Sequence, residues 1–124
     1  MLYKRDEPFR FSFGSPIEGT FKILKINDIS GHSKDGKALI MDLSPNGIKL
    51  TSPLDLPIDK KRFLLEVSFI LNEEVITMIV EPKWKKRAPH SSFSYGLVGF
   101  DDEETKKVII EELKEYARKQ HVNK

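Results

Sequence analysis

The chain has 124 residues, of which 39% are hydrophobic and 32% charged, and its formal net charge at pH 7 is +2. This length and balance fit one soluble globular domain with its own core and exclude a disordered chain. The sequence contains no cysteine, which excludes disulfides, thiolate metal sites and cysteine nucleophiles. No apolar run approaches the ~20 residues of a membrane helix, and no secretory signal pattern opens the chain, so we expect a cytoplasmic protein.

The N-terminal stretch is polar. Pro8 biases Glu7 towards an extended backbone, so residues 1–8 are predicted to form a mobile loop rather than a helix. Aromatic and polar residues then alternate over Phe9–Phe13, which predicts a strand ended by Gly14-Ser15-Pro16.

Further segments show strand-type alternation between turn signals. They are 19–26, 37–43, 48–51, 62–71, 75–80 and 93–100. The residues around Trp84 continue or follow the strand that ends near Val80, and Pro82 predicts an edge or a bulge there. About seven short strands with turns between them predict an antiparallel barrel or sandwich, and a closed barrel leaves no unpaired sheet edges.

The last segment changes from strand to helix periodicity. Asp101 is expected to cap a helix over residues 101–120, with Glu104 three positions on completing a capping box. An apolar stripe at helical spacing, predicted to pack on the sheet, consists of Ile109, Leu113, Tyr116 and Ala117. The predicted fold is therefore mainly β, a six- to seven-stranded antiparallel barrel over residues 9–100 with a C-terminal α-helix, in one domain spanning 1–124.

The turn Ser44-Pro45-Asn46-Gly47 joins two of the predicted strands. Pro45 suits its first central position, and Gly47 accepts positive φ and leaves room for a ligand near the backbone. Asp42 and Ser44 are two residues apart, so both point to one face of a strand. Two interpretations stay open: an ordinary hairpin turn in which Asp42 and Ser44 bond nearby backbone, or a polar corner that faces a ligand.

Two arginines, Arg5 and Arg10, flank the proline-containing N-terminal loop. The arginine side chain offers a planar fork of donors that grips phosphate or reads the O6 and N7 acceptors of guanine. We expect the loop to fold over a ligand that rests on Asp42 and Ser44. The alternative is that both arginines are solvated and pair with neighbouring carboxylates.

A second basic cluster surrounds the one tryptophan, Trp84. It consists of Lys83, Lys85, Lys86 and Arg87. Such a run predicts a solvated strand edge that resists aggregation, with nucleic-acid binding as the alternative. No P-loop, dinucleotide glycine signature or nucleophile arrangement is present, and the three histidines lack ligand spacing. We therefore expect neither an enzyme nor a metal site.

An arginine loop followed by an Asp-x-Ser-x-x-Gly turn resembles the PilZ domain, a bacterial family of cyclic di-GMP receptors. Asp42, Ser44 and Gly47 match the second motif at every defined position, and Arg5 and Arg10 stand where the arginine motif stands. The resemblance extends over nearly the whole chain. It implies a six-stranded antiparallel barrel with a C-terminal helix.

The resemblance also implies a site. Arg5 and Arg10 would clamp the guanines and phosphates of cyclic di-GMP, while Asp42 and Ser44 supply hydrogen bonds and Gly47 backbone room. Four residues separate the two arginines here, where the family usually has three. Either a bulge at Pro8 absorbs the extra residue, or one arginine is well placed and Lys4 assists it.

Three functional hypotheses follow from these patterns. The first is a cyclic di-GMP receptor that orders its N-terminal loop on the ligand and signals through a protein partner, without a cofactor. The second is a PilZ-like adaptor that binds no nucleotide and contacts proteins through Trp84 and the basic edge. The third and weakest is an RNA-binding barrel that uses the basic cluster.

Overall fold

The computed structural model describes residues 10–31, 35–100 and 102–122. The elements in chain order are β1 Phe11–Ile26, β2 Ile29–Ser30, β3 Gly36–Ser44, β4 Gly47–Ser52, β5 Phe63–Ile70, β6 Val75–Ala88, β7 Ser92–Gly99 and α1 Glu103–Val122. No helix in this part of the chain is both long and apolar enough to cross a membrane.

Six strands close into an antiparallel barrel in the order β1-β3-β4-β7-β6-β5, with β5 pairing back to β1. The short β2 lies outside the closed circle and forms a hairpin with the end of β1, turning through Asn27 at a φ of 58°. The predicted mainly-β barrel of six to seven strands with a C-terminal helix is confirmed.

Alternation along the strands fills the barrel interior. In β5, Phe63, Leu65, Val67 and Phe69 are each no more than 5% exposed, whereas the residues between them face outwards. This is the pattern that the sequence predicted for the segment, and its period of two follows from the pleat of a strand.

The first strand differs from the prediction. Two strands were expected, separated by Gly14-Ser15-Pro16, but β1 runs unbroken through these residues. Ser12 lies opposite Asp42 and Ile17 opposite Ile40, so β1 carries extra residues and bulges away from β3. A bulge leaves residues out of the ladder, and Pro16, which has no N–H to donate, is therefore tolerated inside a long strand.

The sixth strand also continues through a proline. β6 runs to Ala88 and its register against β7 shifts between Pro82 and Trp84. An edge or a bulge was predicted at Pro82, and the register shift identifies a bulge.

The helix begins one residue later than predicted. Asp102 is its N-cap: Oδ1 accepts from the amides of Glu104 at 3.1 Å and Thr105 at 3.4 Å, and Oδ2 accepts from the Thr105 hydroxyl at 2.7 Å. Asp101, which was expected to cap the helix with Glu104, lies outside the described residues, and the amide of Glu104 bonds Asp102. The hydrogen bond from the Thr105 hydroxyl, followed by that from its amide, lowers the pKa of Asp102.

The helix packs on the barrel through Ile109 and Leu113, which are buried. Tyr116 lies edge-on to two rings of β1, with centroids 5.6 Å from Phe11 and 5.4 Å from Phe13. Ala117, which was expected in the same stripe, is exposed instead.

Residues 53–62 connect β4 to β5, and the buried hydroxyl of Tyr95 bonds them at two points. Tyr95 Oη accepts from the amide of Leu56 at 2.9 Å and donates to the carbonyl of Leu54 at 2.5 Å. Burial raises the pKa of Tyr95. Lys85 adds a bond to the carbonyl of Leu56 at 2.8 Å and a contact with the carboxylate of Asp55.

We expect Tyr95→Phe to lower the free energy of unfolding by about 1–3 kcal/mol, because it leaves the buried Leu56 amide without an acceptor. Tyr116→Phe keeps the ring contacts with β1 and serves as the control, with an expected change within about 0.5 kcal/mol. Urea denaturation measures both. Equal losses in the two variants would contradict the proposed role of the Tyr95 hydroxyl.

We expect the stability advantage of the wild type over Asp102→Asn to be greater at pH 6 than at pH 3. The native pKa of Asp102 is depressed, so its stabilisation is complete above the unfolded pKa of about 3.9 and is lost as pH falls through the lower native pKa. A difference in unfolding free energy that stays constant between the two pH values would contradict this role.

Candidate functional site

One row of register partners crosses five strands on the outer face of the barrel. From β1 to β6 the row consists of Ser12, Asp42, Lys49, Gly96 and Trp84. The residues on either side of it in β4 and β7 are core residues, as is Leu43 after Asp42 in β3. The row therefore places a carboxylate, an ammonium group and an indole side by side across the sheet.

Three bulges adjoin this row: in β1 after Ser12, in β3 just before Asp42, and in β6 just before Trp84. Each bulge adds residues to one strand without adding them to its neighbour, which bends the strand and redirects its side chains. The barrel wall is thus irregular on three strands at the same level. This irregularity shapes a groove.

The groove encloses about 200 Å³ and is open to solvent. The described residues that line it are Arg10, Asp42, Leu43, Ser44, Gly47, Ile48, Lys49, Lys83, Trp84, Gly96, Leu97 and Val98. Three of these side chains are cationic and one is a carboxylate, so the groove favours an anionic ligand. Small-molecule pockets usually enclose ~300–1,000 Å³, so the described residues surround only part of a nucleotide-sized ligand.

Arg10 and Asp42 form an ion pair at the groove. Arg10 Nη2 lies 3.6 Å from Asp42 Oδ2, and the two side chains are 65% and 18% exposed. An ion pair this exposed on the arginine side contributes about 0–1 kcal/mol to stability. The arginine is therefore available to exchange its protein partner for an anion at little energetic cost.

The turn that carries Ser44 and Gly47 is a two-residue hairpin through Pro45 and Asn46. The buried Ser44 hydroxyl donates to the carbonyl of Gly47 at 3.4 Å, a long bond that leaves the hydroxyl oxygen as an acceptor. The interpretation of Ser44 as a residue that bonds the turn backbone has this contact in its favour.

Gly47 has a different structural role from the one predicted. Its expected positive φ was wrong, since no glycine among the described residues has a positive φ. A Cβ added there would instead lie 2.6 Å from the carbonyl oxygen of Leu97, so the missing side chain lets β4 and β7 approach. The backbone of β7 therefore leaves no space for a larger side chain at position 47.

The residues of the basic cluster around Trp84 have different surroundings. Lys83 and Trp84 line the groove, whereas the side chain of Lys85 bonds the 53–62 segment. Lys83 also pairs with Glu81 at 3.4 Å. The prediction of one solvated basic edge was therefore wrong for Lys85, whose side chain is 23% exposed.

Trp84 was recognised in the sequence as part of the basic cluster, but its place in the groove beside Asp42 was not predicted. Pro82 was expected to mark an edge or a bulge, but the pairing of Trp84 with Gly96 depends on the register of β6 against β7. The proline indicated an irregularity in β6, but it did not indicate which residue of β7 lies opposite Trp84.

Of the six predicted ligand-binding residues, Arg10, Asp42, Ser44 and Gly47 line one groove. Lys4 and Arg5 lie outside the described residues. Binding of a ligand by any of the six stays a prediction.

No protein-family model and no curated protein matches the sequence. Among solved structures, the chain is similar to the PilZ domain of YcgR from Escherichia coli with c-di-GMP. The TM-score is 0.63 at 12% identity, and the match covers 98% of this chain and 97% of that one. This chain has the PilZ-domain fold. The resemblance stated from the motifs is therefore confirmed for the fold, including the barrel and the C-terminal helix of the PilZ domain.

Gly47→Ala is expected to lower the free energy of unfolding by about 1–3 kcal/mol, because the new methyl group meets backbone that cannot turn away. Gly14→Ala is the matched control, since nothing lies within 4 Å of the Cβ position there. Urea denaturation of the two variants checks this. A Gly47 variant as stable as the Gly14 variant would show that β4 and β7 do not need the close approach.

Proposed function

We propose that this protein is a receptor for cyclic di-GMP that binds the nucleotide in the groove and signals through a protein partner. The observation that carries the proposal is the convergence of Arg10, Asp42, Ser44 and Gly47 on one groove of a PilZ-type barrel. These residues come from the segment before β1 and from the β3–β4 hairpin. The resemblance to PilZ domains implies that these residues lie in one site, and the fold of the barrel brings them together.

The chemistry of the groove suits this ligand. Cyclic di-GMP carries two phosphates and two guanines, and an arginine fork binds either a phosphate or the O6 and N7 edge of guanine. Asp42 is an acceptor for the N–H groups of a guanine, and Lys49 and Lys83 supply positive charge for phosphate. On this account the ligand exchanges the weak pair between Arg10 and Asp42 for stronger charge-assisted bonds.

In the proposal, Arg5 and Lys4 complete the site from the segment that precedes Arg10. The described part of the groove encloses only part of such a ligand, which is consistent with a further wall from elsewhere in the chain. Closure of the N-terminal segment over the nucleotide changes the surface beside the groove. That change is the signal that a partner protein reads.

Calorimetric titration of the purified 124-residue chain with cyclic di-GMP tests the proposal. We expect saturable binding to the wild type and a loss of affinity of roughly ten- to a hundredfold in Arg10→Ala, because a charged bidentate partner is removed. Arg5→Ala is expected to lose affinity similarly.

The matched control is Arg118→Ala, which removes an equally exposed arginine from α1. We expect this variant to bind as the wild type does, which separates a specific contact from a change in net charge. Absence of binding to the wild type would contradict the receptor proposal and favour the nucleotide-free adaptor. Unchanged affinity in both Arg10→Ala and Arg5→Ala would show that these two arginines do not bind the nucleotide.

A further inference from the structure

We infer that Trp84 is a stacking platform for one base of the bound nucleotide, and that Gly96 is the seat that holds the indole in place. The inference rests on the proposed function and extends it to a residue outside both arginine and Asp-x-Ser-x-x-Gly motifs. It assigns the groove two functional sides. Arg10 and Asp42 form the polar side, and the indole forms the aromatic side.

The position of Trp84 is the first argument. It occupies the opposite end of the row from Ser12, three register steps from Asp42, and it lines the same groove as Arg10. Its side chain is 39% exposed although it is the largest apolar group on this face. An indole that is half covered by the barrel and half open to a cationic groove offers a π-surface to a flat ring.

The seat beneath the indole is the second argument. A Cβ on Gly96 would lie 2.0 Å from Nε1 of Trp84 and 2.2 Å from Cε2, so the indole occupies the space that a side chain would need. Gly96 faces Lys49 on one side and Trp84 on the other. Only glycine at this position lets the ring settle against the strand, which fixes its orientation before a ligand arrives.

The charges around the ring are the third argument. Lys86 Nζ lies 5.4 Å from the centroid of the Trp84 ring, and Lys49 and Lys83 line the groove beside it. Bases stack on aromatic side chains irrespective of their sequence, while nearby cations track the phosphates. An indole among ammonium groups therefore fits a purine that carries phosphate better than it fits an uncharged apolar partner.

Titration with cyclic di-GMP of two variants that differ in aromaticity tests this inference. Trp84→Leu removes the π-surface but keeps an apolar side chain, and we expect it to lose roughly 5- to 150-fold in affinity. Trp84→Phe keeps a ring and is expected to retain most of the affinity. Equal binding by the wild type and both variants overturns the stacking role while leaving the receptor proposal intact.

A second pair of variants tests the seat without removing the tryptophan. Gly96→Ala displaces the indole, and we expect a loss of affinity comparable to that of Trp84→Leu. Gly31→Ala adds the same methyl group where nothing lies within 4 Å, and we expect no loss. Affinity unchanged in Gly96→Ala, in a protein whose melting curve stays cooperative, contradicts the role of the seat.

Fluorescence gives a readout that a structural role alone would not move. Trp84 is the only tryptophan in the chain, so all indole emission comes from the groove. We expect quenching on saturation with cyclic di-GMP and no change with ribose 5-phosphate, which carries phosphate without a base. Calorimetric binding without quenching would overturn the stack, and absence of binding to the wild type would overturn the receptor proposal together with it.

Discussion

The cross-strand register of β3, β4, β7 and β6 determines which side chains are neighbours on the outer wall of the barrel. Asp42, Lys49, Gly96 and Trp84 are far apart in the sequence, and they lie in one row because each strand pairs with the next at a fixed register. A slip of one residue in any pair would turn the outer side chains inwards and the core side chains out. The buried side chains therefore hold the groove in place, and the site depends on the same packing that stabilises the fold.

The barrel gives this groove its shape through irregularity rather than through a cavity in the core. Bulges in three strands adjoin the same row, and each one leaves a strand bent near a polar or aromatic side chain. The core accommodates these bulges, since Phe13 in the bulged part of β1 is buried, whereas Lys83 in the β6 bulge is exposed. Arg10 and Asp42 illustrate the result, since their ion pair is exposed and weak and both groups remain free to rearrange.

Much of the fold was predictable, because alternation in β5 and the helical stripe through Ile109 and Leu113 are strong local signals. The prediction of two strands in place of β1 was wrong because Gly14-Ser15-Pro16 is typical of a strand end. Only the pairing of β1 with β3 reveals a bulge there. Likewise the local motif that marked Asp42 and Ser44 located one side of the groove. The motif did not indicate Trp84. The position of Trp84 beside the groove depends on the pairing of β4 with β7 and of β7 with β6, and on the bulge in β6.

The central claim is that cyclic di-GMP occupies the groove of this PilZ-type barrel, and amide chemical shifts of the labelled protein test it most directly. The account predicts that added nucleotide shifts the amide signals of Gly47, Lys49 and Gly96 together, with one saturation curve. Amides on the exposed face of α1, such as that of Lys107, should move far less. The account would be contradicted by an unchanged spectrum, or by shifts confined to the separate hollow around Asn27, Arg62 and Phe100.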